Sequence, residues 1–167
     1  MHRLNYSESV FNLNPNKPAL LIVDDDEDQL ALLRMAADRS NAFCKVAVAE
    51  DGVRALEDVF ALIDNLPTAT KIIVLADLKM PGMTGTELAR RLRPACDALP
   101  IWLIGMSSSG YGPDIRAALD AGCMAFIEKP SSYTALKSLM LSLPQVCESR
   151  ESGHAFDAEL HATFAHS

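Results

Sequence analysis

Four aspartates crowd the stretch LIVDDDEDQL, where Asp24, Asp25, Asp26 and Asp28 follow directly on an apolar run. Carboxylates this close repel one another unless a cation or a helix terminus compensates. Other chemically capable residues follow apolar runs in the same way: Asp77 after KIIVLA, Ser107 after PIWLIGM, and Lys129 after CMAFIE, with Pro130 next. A group of carboxylates resolves its repulsion by taking up a hard divalent ion with oxygen ligands. Mg2+ is the first choice, because it keeps coordination positions open for phosphate oxygens. A lysine beside such a site adds a point charge that pairs with a carboxylate or a phosphoryl oxygen. A carboxylate in that company can act as a nucleophile and form an acyl phosphate. Metal and ammonium then stabilise the charge on the group in transfer. The plainer reading is an acidic rim held by structural salt bridges.

These residues meet only if the elements before them bring them together. ALLIV (19–23), FCKVAV (43–48), KIIVLA (71–76), PIWLIGM (100–106) and CMAFIE (123–128) are short apolar runs that read as strands. Between them lie segments of helical period. Residues 27–39 carry Leu30, Leu33 and Ala37 on one stripe, and the next helix carries Val53, Leu56, Phe60 and Ile63 at three- and four-residue steps. Further helices are expected at about 85–93 and 113–121, and the last carries Leu136, Leu139, Met140 and Leu143. Apolar runs without alternation mark strands buried on both faces, hence a parallel sheet covered by helices. Right-handed crossovers then give an α/β fold, a doubly wound three-layer α/β/α sandwich.

In such a sheet, ligands gather beyond the carboxyl ends of the strands. Asp24, Asp25, Asp77, Ser107 and Lys129 therefore converge on one rim. Alternation places Ile101, Leu103, Gly105 and Ser107 on one face of the fourth strand, with Trp102 and Met106 on the other as core. A calcium loop starting at Asp24 fails on its residues, since Gln29 stands where glycine is needed and Met35 where glutamate is needed.

The combination LIVDDDED, DLKMPGMTG, Ser107 and EKP resembles the receiver domain of bacterial two-component response regulators, over about residues 18–143. The resemblance implies a flavodoxin-like five-stranded parallel sheet of order 2-1-3-4-5. It implies Asp77 as the phosphoacceptor, Asp25 as a direct Mg2+ ligand, and Asp24 as its partner acting through water. Lys79 would lend its backbone carbonyl to the metal, and Lys129 would bond the phosphoryl group. Ser107 and Phe126 would be the switch positions, with Phe126 turning inward on phosphorylation. Counting from Pro100 puts the switch hydroxyl at Gly105, whereas counting back 22 residues from Lys129 puts it at Ser107, with Ser108 and Ser109 as substitutes. The 52 residues separating Asp77 from Lys129 fit the family without a gap. Two other readings stand beside this one. The first is a degenerate receiver acting as a scaffold. The second is a haloacid-dehalogenase-like phosphohydrolase using Asp24-x-Asp26, although Asp28 replaces its usual Thr or Val and Asp77 would have no task.

Composition narrows the partners. The 167 residues suit one domain, and 49% hydrophobic content with 6% aromatics suits an aliphatic core. A net charge of −7 argues against a nucleic-acid surface. Arg90, Arg91 and Arg93 read as one solvated helix face. No apolar run approaches a membrane span. Cys44, Cys96, Cys123 and Cys147 form no C-x-x-C pair, so reduced thiols and a cytoplasmic location are expected. Residues 1–17 read as a flexible arm and 144–167 as a tail, too short for a helix-turn-helix unit, so the stand-alone type is expected. Phe156, Leu160 and Phe164 recur at every fourth position of that tail, as in a short amphipathic helix. His154 and His161 lack tight metal spacing. The implied partners are a sensor histidine kinase or histidine phosphotransfer protein and a downstream protein target, with a homodimer left open. No enzymatic turnover is expected beyond the domain's own phosphorylation and dephosphorylation.

Overall fold

The computed structural model describes residue 14, residues 16–108 and residues 112–151, the last three by backbone only. Five strands and five helices alternate along them: β1 (Ala19–Val23), α1 (Glu27–Ser40), β2 (Lys45–Ala49), α2 (Gly52–Asn65), β3 (Ile72–Asp77), α3 (Gly85–Ala98), β4 (Ile101–Ser107), α4 (Gly112–Ala121), β5 (Ala125–Glu128) and α5 (Tyr133–Glu151). The strands form one parallel sheet in the order β2-β1-β3-β4-β5, as expected. β1, β3 and β4 are buried along their whole length, which is why their sequences do not alternate.

The sheet divides the core in two. Leu21, Val74 and Leu103 face Val59, Leu62, Leu88 and Leu92 on one side. Leu20, Ile22, Ile73 and Leu75 face Leu30, Leu33, Leu139 and Met140 on the other. Burial of such aliphatic side chains stabilises by about 1.5–3 kcal/mol each. Trp102 and Met106 fall in the second cluster, on the strand face opposite Leu103, as alternation required.

Three expectations are corrected. First, α3 does not stop before Pro94 but runs on to Ala98. Proline removes the hydrogen bond to the carbonyl four residues earlier. That carbonyl belongs to the exposed Arg90, and Ala95 and Cys96 beyond still pack on the core. Second, α5 does not end at 143 but continues through Pro144 to Glu151, so the boundary expected at 143/144 falls inside a helix. Val146 and Cys147, 6% and 1% exposed, hold those extra turns down. Third, α2 does not bury the stripe of Val53 and Phe60, which stand 55% and 48% exposed. It buries Ala55, Asp58, Val59 and Leu62 instead. The inner stripe is apolar at helical spacing apart from Asp58, and the close seat of Gly52 against Met83 goes with it.

At the start of the fold Lys17 is anchored, its Nζ donating to the Asn41 carbonyl at 2.6 Å, while most of the expected arm lies outside the described residues. The same holds for Phe156, Leu160, Phe164 and the tail histidines. The four cysteines are free. No helix among the described residues is long and apolar enough to cross a membrane.

Candidate functional site

β1 delivers Asp24 directly from the buried Val23, and the Asp24 N–H donates to the Ala49 carbonyl at 3.2 Å. Asp24 is itself fully buried. Its Oδ1 accepts the Asp26 N–H at 3.0 Å, and its Oδ2 accepts from Lys129 Nζ at 2.6 Å. Asp26 turns away to cap α1, accepting from the N–H groups of Asp28 and Gln29. Glu27 and Asp28 occupy the first helical turn, where the helix dipole favours negative charge. Asp25 is exposed and free of that role. The run of aspartates thus splits into a site pair and a helix start.

Asp77 is the last residue of β3, level with Met106 of β4, and only 7% exposed. Its Oδ1 accepts the Lys79 N–H at 3.2 Å, and its Oδ2 lies 3.3 Å from Lys129 Nζ. The loop after it returns the chain sharply. Gly82 sits at φ 70°, a left-handed conformation that glycine adopts without strain. Gly85 passes so close that a Cβ there would lie 2.2 Å from the Asp77 carbonyl oxygen. Thr84 caps α3 by accepting the Glu87 N–H. Each of these residues fixes the backbone on which the Asp77 side chain stands.

Lys129 follows β5, and its N–H donates to the Ser107 carbonyl at 2.8 Å. That bond ties the lysine to the end of β4, where Ser107 is 1% exposed. Burial pushes the Asp77 carboxyl above its ordinary value; Lys129 and the Lys79 N–H pull it back, and the Asp24 charge adds to the rise. Burial alone would lower the Lys129 ammonium, but its hydrogen bond to Asp24 and the charges of Asp77 and Asp24 outweigh that and raise it. The lysine is therefore a fixed positive charge.

The structure brings together Asp24, Asp25 and Asp77, each offering an oxygen within 4.8 Å of the others. Carboxylate oxygens are the ligands a hard divalent cation takes, so the chemistry of the donors fits Mg2+. Lys129 joins the two buried carboxylates, and Ser107 is adjacent through the backbone. Ser108 is exposed, and Ser109 lies outside the described residues. The Lys79 side chain leaves the site and pairs with Asp114 of α4 at 3.0 Å, while its main chain stays beside Asp77. Phe126 is only 5% exposed and packs in the cluster that holds Leu78 and Cys123. Sequence reasoning missed the Lys79–Asp114 pair, for which no local signal exists. It also missed the part played by Gly85, although a Thr-Gly directly before a helix could have indicated a close approach.

A family model described as "Response regulator receiver domain" matches residues 20–140. The chain is 28% identical over 142 residues to the two-component response regulator ARR17 of Arabidopsis thaliana, covering 82% of this chain and 92% of that protein. It is 31% identical to ARR6 of the same plant, covering 87% of this chain and 78% of that one. It also matches the sensor protein EvgS of Escherichia coli at 31% identity, covering 79% of this chain but 10% of that protein. Among solved structures, the signal receiver domain of the putative response regulator NarL from Mycobacterium tuberculosis superposes with a TM-score of 0.64 at 27% identity. That match covers 78% of this chain and 98% of that domain. The Ssk1 receiver domain, solved in complex with the Saccharomyces cerevisiae histidine phosphotransfer protein Ypd1, shares the fold with a TM-score of 0.63 at 21% identity, covering 78% of this chain and 90% of that one.

Proposed function

The chain belongs to the response regulator receiver family of two-component phosphorelay signalling, and from that premise we propose that Asp77 is its phosphoacceptor. The observation that carries this is the setting of Asp77: a buried strand-end carboxylate 3.3 Å from a fixed lysine and grouped with Asp24 and Asp25. Receivers pair with histidine kinases or phosphotransfer proteins, and the Ssk1 complex is one such pairing. The donor proposed for this chain is a phosphohistidine on a protein of that kind.

In the transfer, a carboxylate oxygen of Asp77 attacks phosphorus. The P–O bond forms as the P–N bond breaks, and the histidine nitrogen keeps the bonding pair. Lys129 holds its ammonium between Asp24 and Asp77 and so presents positive charge to the incoming phosphoryl oxygens. Asp24, pinned by that lysine and by the Asp26 N–H, keeps its orientation throughout. Asp25 and Asp77, with the Lys79 carbonyl, are the residues to hold Mg2+ directly, and Asp24 the one to reach it through water. When bound, Mg2+ neutralises charge on the carboxylates and the phosphoryl oxygens. Its backbone bond to Lys129 puts Ser107 in place to lend a hydroxyl to the new acyl phosphate. Output is a change in partner binding, a shift between two states of the domain. The chain turns over no separate substrate on this reading.

The test is intact-protein mass after incubation with Mg2+ and acetyl phosphate. A gain of one phosphoryl group, absent in Asp77→Ala and absent with EDTA, is expected. No gain under conditions that label another receiver would refute the assignment.

A further inference from the structure

The edge of the sheet opposite the acidic rim carries an apolar groove that phosphotransfer does not use. Two cavities of about 70 and about 330 Å3 adjoin there, sharing Leu99, Pro100 and Ile101. Ile63 and Leu66 wall the smaller, and Cys96, Cys123 and Trp102 the larger. Leu99, between them, is 37% exposed. No residue lining either cavity carries a formal charge. The lining side chains are apolar apart from Thr68 and Thr70, although what the groove exposes is about as polar as apolar.

The course of α5 says what lies nearest. Its 19 residues span about 28 Å at the helical rise, whereas the seven of β4 span about 23 Å. α5 starts beyond the carboxyl end of β5 and returns antiparallel, so its last turns reach the groove's edge of the sheet. Cys147 belongs there to the same apolar cluster as Trp102, which lines the larger cavity. α5 thus ends at Glu151 on the side of the sheet that Trp102 faces. Residues 152–167 lie outside the described residues, but their sequence is suited to what they meet. Gly153 is followed by Phe156, Leu160 and Phe164 at every fourth position, with alanines at 155, 158, 162 and 165. From Glu151 to Phe156 the chain can reach about 17 Å. Asp157 and Glu159 flank the apolar triad, and Lys71 stands at the groove's edge, 5.5 Å from the Trp102 ring centroid.

We propose that residues 152–167 dock the Phe156–Leu160–Phe164 face into this groove on the same chain. The segment then covers the sheet edge remote from Asp77 and joins α5, α3 and the α4–β5 turn into one surface. Phosphoryl uptake does not depend on it.

The groove supplies its own reporters, because Cys96 and Cys123 line it while Cys44 does not. Alkylation by N-ethylmaleimide, read thiol by thiol by peptide mass, compares three proteins at one pH. They are the full chain, a chain ending at Glu151, and the full chain with Phe156→Ser and Phe164→Ser. The cut at Glu151 spares Val146 and Cys147, and the double substitution leaves every described residue in place. Cys96 is expected to react roughly fivefold faster or more in both altered proteins, as for a site whose cover opens. Cys44 serves as the unchanged reference. Equal Cys96 rates in all three overturn the proposal. Protection that grows with protein concentration, together with a doubled mass, assigns the groove to a second copy and also overturns it. Phosphoryl uptake in the same three proteins is read separately, and its failure would count against Asp77 rather than against the groove.

Discussion

Replacing Lys129 by methionine tests how the site balances its charges. Lys129 Nζ lies 2.6 Å from Asp24 Oδ2 and 3.3 Å from Asp77 Oδ2. At an effective dielectric constant of about 20, the gross attractions are about 6 and about 5 kcal/mol. Holding three charges at side-chain exposures of 13%, 1% and 10% absorbs most of that. Removing the ammonium does not return the desolvation cost. It leaves Asp24 and Asp77 buried and facing each other. Breaking a buried pair in this way costs about 3–5 kcal/mol, so Lys129→Met should lose that much in metal-free buffer, measured by urea unfolding with EDTA. The same carboxylates are then released to a divalent ion. Mg2+ affinity should rise at least tenfold, about 1.4 kcal/mol, by titration calorimetry. Saturating Mg2+ should accordingly restore part of the lost stability. Phosphoryl uptake should fall, because the ion supplies charge but not the ammonium's position. A variant with unchanged or weaker Mg2+ affinity, or with a stability loss under about 1 kcal/mol, would refute the view that one lysine neutralises both carboxylates.

Gly85→Ala places a Cβ 2.2 Å from the Asp77 carbonyl oxygen; the expected outcome is about 1–3 kcal/mol of lost stability in urea melts, together with reduced acetyl-phosphate labelling. Lys79→Ala removes an ion pair whose side chains are 62% and 34% exposed. It should cost under about 1 kcal/mol and leave labelling intact, because only the main chain of residue 79 serves Asp77. Burial, only partly offset by Arg54, pushes the Asp58 carboxyl above its ordinary 3.8. A carboxyl with a higher pKa folded than unfolded stabilises below the unfolded value, and that contribution is lost as pH rises through the folded value. Asp58→Asn should therefore flatten the fall in stability that the parent shows as pH rises from about 4, with equal slopes in parent and variant as the contrary result.

The placing of β1, β3 and β4 was legible because one force decided it, whereas the strand order came only from the family resemblance. Strands buried on both faces must be apolar throughout, and nothing else in the chain competes for ALLIV, IIVLAD or IWLIGMS. Helix limits were not legible, because two forces oppose there. Pro94 and Pro144 each remove a hydrogen bond, which argues for a stop, yet Val146 and Cys147 gain burial only if the helix continues. The sequence shows the local penalty and hides the tertiary gain. α2 presents the same difficulty in another form, with two apolar stripes and no local reason to prefer Ala55, Val59 and Leu62 over Val53 and Phe60.

The site was easier to read than the helices for a geometric reason. In a parallel sheet the last residue of every strand is carried to the same rim, so Asp24, Asp77, Ser107 and Lys129 could be brought together by counting alone. What counting cannot supply is side-chain direction. It could not tell that Lys129 would bond Asp24 more closely than Asp77, or that the Lys79 side chain would leave for Asp114. The Lys79–Asp114 pair bears on mechanism, because it couples the loop after Asp77 to the start of α4 through side chains that solvent reaches. On the proposed reading, a phosphoryl group on Asp77 would shift the charge beside that loop directly, which would give the signal a physical route to α4.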